Sequence, residues 1–244
     1  MKRKFADLHL QPNLCDVEHT RRMVKKAAAL GYSLIAVPLP YNVNEDYIRR
    51  LRDFCHEATV DFASRLDLKP KTPDELTSML RKFRRKFEII AVICDSKNVA
   101  RQAAKDRRVD LLNFPSADFR KRFFDRAESE LASSSLAALE IDAKPLITLK
   151  GPDKVRLLSA LRAETIMAKA YRVPLVISSG AANEMLMRKP LEMAAFASLF
   201  DLDKSSAIEA VSKNPLGIVK RNREKLDSKF VAPGIRVIRS GKDC

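Results

Sequence analysis

Short, nearly continuous apolar runs alternate along this chain with longer stretches in which apolar residues return every three or four positions. The short runs predict strands at Phe5–Leu8, Leu34–Val37, Val60–Leu66, Ile89–Ile93, Leu111–Phe114, Ala138–Ile141 and Leu175–Ile177. Runs without polar alternation belong to parallel strands covered on both faces. The longer stretches predict helices at Asp16–Leu30, Asn44–Glu57, Ser96–Asp106, Asp118–Leu131 and Asp153–Arg172. The sharpest helix signal is Thr72-Pro73-Asp74-Glu75, a capping box with proline at the first helical position. After it Leu76, Met79, Leu80, Phe83 and Phe87 share one face. Gly31 closes the first helix, where a left-handed residue is wanted. Near the C-terminus Lys189-Pro190 opens a helix through Phe200, Asp203 caps another through Val211, and Asn214-Pro215 starts a last, very basic one.

Strands alternating with helices leave two architectures, an open doubly wound sheet or a closed barrel. No GxGxxG, GxxxxGKS or GxxxxGKT follows the first strand, and 6 glycines in 244 residues provide no phosphate-cradling loop. The expected fold is therefore α/β, a single TIM-like β/α barrel over residues 1–226. Residues 227–244 form a tail whose apolar residues come only in short runs, and it is expected to be loosely held.

Composition narrows the function. With 46% hydrophobic and 32% charged residues the chain buries a core and is not disordered. Lys and Arg number 46 against 31 Asp and Glu, a formal net charge of +15. That surplus points to a polyanion, nucleic acid ahead of an anionic membrane surface. No stretch approaches the roughly 18 apolar residues of a membrane span, and Asp7 and His9 break the run after the basic start, so no signal peptide is expected. Cys15, Cys55, Cys94 and Cys244 form no CxxC. Cys55 and Cys94 lie in apolar periodic segments and are expected to be buried free thiols of a cytoplasmic protein.

Candidate chemistry is sparse. Asp7 and His9 end the first strand on one face, at the rim where barrel active sites form, and with Glu140 could chelate a metal. The third place of such a motif is held by Gln11, a poor ligand, and His19 and His56 fall inside predicted helices. A structural or vestigial pair holding no metal is the expectation. Other strand ends offer Arg65, Asp67, Asn113, Ser116, Ser178 and Ser179, either as rim groups facing a ligand or as simple helix caps. No GxSxG or HExxH occurs. Four basic clusters remain: RKFRRK (81–86), RQAAKDRR (101–108), RKRFFDR (120–126) and KRNREK (220–225). Each alone reads as a solvated helix face. Together they suit phosphate contact rather than base reading. Aromatics at 7% and no Trp argue against a stacking platform for single strands.

FADLHL (5–10), GYSLIAVPLP (31–40), SRLDL (64–68), VDLLNFP (109–115), AALEID (137–142), PLVISSGA (174–181) and SKNPLGIVKRNR (212–223) follow in a telling order and spacing. In these segments the chain resembles the archaeal ribonuclease P protein component 3 family, counterpart of the thirty-kilodalton eukaryotic subunit. The resemblance implies a barrel related to metal-dependent phosphoesterases of the polymerase-and-histidinol-phosphatase type, whose Asp/His-x-His-x-His opening Asp7-Leu8-His9 matches in degenerate form. It implies a role in removing 5′ leaders from precursor tRNA, with catalysis carried by an RNA subunit and its Mg2+ ions. The chain itself would then be non-catalytic and bind no cofactor. The implied partners are the ribonuclease P RNA, precursor tRNA indirectly, and a small protein component 2 in a two-plus-two assembly.

Carried to matching motif positions, Arg65, Asn113, Ser178, Ser179, Arg188, Lys213, Lys220, Arg221 and Arg223 become candidates. The basic clusters add Arg84, Arg85, Arg107, Arg108 and Arg122 as RNA-binding positions. Many relatives carry Ser-His where this chain has Asn113-Phe114, so no polar role passes to Phe114. A rival reading is a stand-alone metal-dependent phosphoesterase or nuclease with Asp7, His9 and Glu140 as ligands. A metabolic barrel enzyme with incidental charge is a third.

Overall fold

The computed structural model describes residues 3–115, 122–232 and 235–237. Seven strands, β1 (Ala6–Asp7), β2 (Leu34–Pro38), β3 (Asp61–Leu68), β4 (Ile89–Ile93), β5 (Leu111–Asn113), β6 (Ala138–Asp142) and β7 (Leu175–Ser178), lie side by side in chain order. Every neighbouring pair is parallel. Between them run α1 (Val17–Leu30), α2 (Glu45–Glu57), α3 (Pro73–Phe83), α4 (Lys97–Lys105), α5 (Arg126–Ser135), α6 (Lys144–Thr148) and α7 (Gly151–Ala170). After β7 come α8 (Pro190–Phe196), α9 (Lys204–Ala210) and α10 (Lys213–Leu226). The expected barrel is the observed one, nearly closed. β1 and β7 share no ladder. Their seam is joined by the Ser179 amide donating to Asp7 Oδ1 at 2.9 Å and the Gln11 amide donating to the Ala181 carbonyl at 2.8 Å.

Strand alternation sorts the apolar residues into two shells. Ile35, Val37, Leu66, Ile90, Val92, Leu112, Leu139 and Ile177 face outward, in the same core as Met23, Leu51, Leu76 and Leu80 of the helices. Inside the barrel, near the strand starts, sit small residues: Ala6, Ala36, Ala63, Ala91 and Ala138. The room they leave is filled by Ile218 and Val219 of α10, which closes the N-terminal end of the barrel as a floor.

Polar contacts hold that floor. Asn214 donates to the Leu175 carbonyl and the fully buried Asn222 to the Glu88 carbonyl, each at 2.8 Å. Arg223 pairs with Asp61 and Glu88. Replacing Asn222 by alanine is expected to cost about 1–3 kcal/mol, because the Glu88 carbonyl loses its donor. A lower urea midpoint with unchanged slope would show this.

Helix starts follow the sequence closely. Asp16, Asn44, Thr72, Ser96 and Asp203 each accept a backbone amide of the first turn. In the capping box Thr72 accepts from the Glu75 amide at 3.2 Å, while the Glu75 carboxylate reaches back to the Lys71 amide at 2.7 Å. Differences lie elsewhere. The helix expected from Asp118 to Leu131 is instead α5, capped by Asp125, and residues 116–121, Ser116 among them, lie outside the described residues. Phe124 is buried before that cap, which keeps Arg122 off any helix face. α7 stops at Ala170 and Arg172 takes a left-handed φ of 55°. The single helix expected from Lys189 to Phe200 is α8 followed by a 3-10 turn, Ala197–Phe200. Beyond Leu226 a short antiparallel ribbon forms, β8 (Phe230–Ala232) with β9 (Ile235–Arg236). Cys55 and Cys94 are buried free thiols and Cys15 is exposed, while Cys244 lies outside the described residues. Among the described residues no helix is long and apolar enough to cross a membrane.

Candidate functional site

The polar interior lies at the C-terminal end of the barrel. Above the alanine layer, the next inward positions are Arg65 on β3, Asn113 on β5, Glu140 on β6 and Ser178 on β7, all buried. One step higher, Asp67 and Asp142 line a cleft of about 200 Å³ together with His9, Gln11, Lys69 and Arg122.

Arg65 is at the centre, with no exposed surface. Its Nη1 and Nη2 donate to the two Glu140 oxygens at 2.6 and 2.7 Å, and its Nε to Asp67 Oδ1 at 2.6 Å. Nη1 also donates to the Leu8 carbonyl at 2.7 Å. Ser178 and Asn113 donate to Glu140 at 2.7 and 2.9 Å. Burial opposes the charge on this guanidinium, but Asp67 and Glu140 more than offset it and keep it protonated. Asp67 and Asp142, despite burial, are held below the usual carboxylate range, Asp67 first by Arg65 and Asp142 first by His9.

His9 stands over this pair. Nδ1 lies 2.7 Å from Asp142 Oδ1 and Nε2 3.3 Å from Asp67 Oδ2. Burial and the nearby Arg65 push its pKa down, yet Asp142 and Asp67 prevail and raise it to about 10. The imidazole is therefore charged at neutral pH, with both ring nitrogens donating. The Gln11 amide lies 2.6 Å from Nε2; against an imidazolium, the amide oxygen is the end that fits there.

Asp7 does not join His9. β1 ends at Asp7, so the two residues do not share a strand face as the spacing predicts. Asp7 Oδ1 accepts the amides of Ser179 and His9 across the seam, and burial, outweighing these bonds, pushes its pKa up. Its place is taken by Asp142: His9, Glu140 and Asp142 bring ligand atoms within 4.8 Å of one another. Asp142 could have been found from the sequence, since Glu140-x-Asp142 repeats the alternation of Arg65-x-Asp67 at a strand end.

The basic candidates separate by burial. Arg65 is a correction: a guanidinium with no exposed surface cannot meet RNA phosphates. Arg122 is a second, its side chain 4% exposed and paired with the equally buried Glu164 of α7. Arg84 and Arg221 share Asp110 at 3.2 and 3.3 Å, Arg108 pairs with Asp106, and Arg223 is spent on Asp61 and Glu88. Arg188 donates to the Met185 and Met187 carbonyls. Lys213 is exposed beside Glu209. Arg85, Arg107 and Lys220 are exposed and have no acidic partner among the described residues. Lys225, not singled out by the sequence, joins this end: desolvation first, then Arg221, Arg84 and Arg107, hold its pKa down. The floor of the barrel thus gathers cations without acidic partners, while at the mouth Asp67, Glu140 and Asp142 are tied to Arg65 and His9.

Comparison with known proteins adds a family. The family model described as RNase P subunit p30 matches residues 4–227. The ribonuclease P protein component 3 of Methanosarcina barkeri is 35% identical over 176 residues, 72% of each chain. That of Methanothermobacter thermautotrophicus is 25% identical over 240 residues, 96% of each. Among solved structures, a chain of the cryo-EM structure of archaeal ribonuclease P with mature tRNA superposes with a TM-score of 0.84 at 21% identity, covering 98% of this chain and all of that one. A histidinol phosphate phosphatase from Lactococcus lactis, complexed with zinc, L-histidinol and phosphate, gives 0.54 at 14% identity, covering 83% of this chain and 94% of its own. These two likenesses establish the fold.

Proposed function

The chain belongs to the RNase P subunit p30 family and so is a protein subunit of ribonuclease P, the ribonucleoprotein endoribonuclease of tRNA 5′-leader removal; we propose that it supports catalysis by the RNA subunit and contributes no catalytic group of its own. The observation that carries this reading is the division of charge between the two ends of the barrel. At the mouth, where barrel enzymes do chemistry, Arg65, Asn113, Glu140 and Ser178, with His9, Asp67 and Asp142 above them, are engaged with one another. At the floor, Arg85, Arg107, Lys220 and Lys225 face outward. Cations so placed neutralise crowded phosphates and lower the electrostatic cost of a compact RNA.

In this reading the Mg2+ ions belong to the RNA subunit, precursor tRNA is met only indirectly, and a small protein component 2 completes a two-plus-two assembly in the cytoplasm. The four-way test is precursor-tRNA cleavage by the chain alone, the RNA alone, both, and both with component 2, at Mg2+ low enough to silence the RNA. Cleavage that requires the RNA and appears when the proteins join supports the proposal. Cleavage by the chain alone, abolished by EDTA and by His9→Ala, would make it a nuclease instead.

A milder prediction separates surface cations from structural ones. Arg107→Ala and Lys220→Ala are expected to leave stability within about 0.5 kcal/mol and to weaken RNA binding uniformly across sequences. Each should reduce the slope of log affinity against log salt by roughly 0.7–0.9, as filter binding at several salt concentrations would record. An unchanged slope for both would place the RNA elsewhere.

A further inference from the structure

An arginine occupies the heart of this barrel, and a phosphatase of related fold was solved with zinc bound. The residues here do not fit a metal as they stand. The three best-placed ligands, His9, Glu140 and Asp142, bring their atoms within 4.8 Å of one another, but each is already engaged, and both Glu140 oxygens carry two hydrogen bonds. Glu140 Oε1 takes bonds from Arg65 Nη1 and Ser178 at 2.6 and 2.7 Å, and Oε2 from Arg65 Nη2 and Asn113 at 2.7 and 2.9 Å. His9 Nδ1 and Asp142 Oδ1 are bonded to each other at 2.7 Å. Asp142 Oδ2 accepts from Asn113 at 3.0 Å. A metal needs deprotonated ligand atoms at about 2.0–2.2 Å, and the guanidinium stands in the way of that approach on Glu140. It is fixed there by Asp67 and the Leu8 carbonyl as well.

We propose that Arg65 is the resident cation of the mouth: its guanidinium takes the place and the charge role of a divalent metal, binding the carboxylates together and closing their cradle to metal ions. A guanidinium suits the task because its planar fork meets Glu140 with two parallel bonds while the third nitrogen serves Asp67. Neutralising the position would leave Asp67, Glu140 and Asp142 without their shared counter-charge. His9 and these carboxylates would then form an oxygen-and-nitrogen set of the kind zinc accepts. The bifunctional role belongs to one residue, so one substitution should convert a closed mouth into a metal site.

The test compares the full-length wild type with Arg65→Gln and Arg65→Lys. Each is incubated with excess Zn2+, desalted and assayed for zinc by mass spectrometry, with thermal melts run with and without the metal. His9→Gln on each background locates any zinc found. Expected are a wild type and an Arg65→Lys variant with no zinc that His9→Gln removes. Arg65→Gln should melt lower than the wild type, hold about one zinc per chain that His9→Gln abolishes, and regain part of its melting temperature with zinc. A wild type holding one His9-dependent zinc overturns the proposal. So does Arg65→Lys taking up the metal, or Arg65→Gln remaining metal-free or remaining unfolded in the presence of zinc. The readouts are metal content and melting, so the outcome is independent of tRNA cleavage.

Discussion

Replacing Glu140 by alanine is expected to lower the unfolding free energy by about 3–5 kcal/mol, the range found when one partner of a buried ion pair is removed. For a chain of this size each kcal/mol moves the melting temperature by about 2–4 °C, so a fall of roughly 6–20 °C should appear in a circular-dichroism melt. The size follows from what Glu140 satisfies. It accepts both terminal nitrogens of Arg65, the Ser178 hydroxyl and the Asn113 amide, from three other strands of the barrel. Removing it strands a guanidinium with no access to water, and burying an uncompensated charge is far costlier than losing a neutral hydrogen bond. Asp67 still holds Nε, which keeps the loss below that of a fully isolated charge.

The usual rescue should fail here. A buried salt bridge can often be exchanged for apolar residues of similar volume at little cost. Arg65→Met with Glu140→Leu would remove both charges, yet Asp67, Ser178 and Asn113 would each lose a partner. The double variant is therefore expected to stay less stable than the wild type by at least about 2 kcal/mol. A double variant as stable as the wild type, or a Glu140→Ala melt within a degree or two of it, would show that the interior network contributes little.

How far the sequence shows this network depends on which part is considered. The strands were legible because parallel strands must be apolar on both faces, and Ile89–Ile93 is found at the boundaries predicted. Helix starts were legible through their capping side chains. The partners of the cations were not, because a basic cluster looks the same whether its acids are near or far in space. Arg221 and Arg223 read as an RNA-facing stripe, yet they meet Asp61, Glu88 and Asp110 from distant segments. A signal did exist: an acid stands at or just before the first residue of β3, β4 and β5, beneath the helix that needed anchoring. Ile218, Val219 and Asn222 also mark an inward face on the most basic helix. Arg65 could not be placed inside the barrel from the sequence, because arginine is rarely buried without partners and its partners are up to 75 residues away.

The second large effect is expected in pH dependence, and its source is Glu128 on α5. This side chain is buried, with Asp125 adjacent and Arg101 Nη2 3.6 Å from Oε2. Burial first, then Asp125, lifts its pKa from the ordinary 4.5 to about 8, against a smaller pull from Arg101. Between those values the folded state keeps a proton that the unfolded chain has lost. Stability contributed by the neutral acid is thus complete below pH 4.5 and lost as pH rises through 8, a decline on the order of 5 kcal/mol. His9 gives a decline of the same sign, but only between its ordinary 6.5 and about 10. Asp67 and Asp142, with lowered values, act at the acid end, where their contribution is lost as pH falls below the usual carboxylate range. The interval from pH 5 to 6.5 therefore leaves Glu128 together with Asp7, whose pKa burial also raises, and the Glu128 variant separates the two. Urea denaturation of the wild type at pH 5, 6.5 and 9 should show stability falling at both steps. Glu128→Gln, an uncharged group of the same shape, should lose most of the first step, keeping only what Asp7 contributes, and end more stable than the wild type at pH 9. A wild type that is flat from pH 5 to 6.5, or a slope there that Glu128→Gln leaves intact, would assign the buried proton to another group.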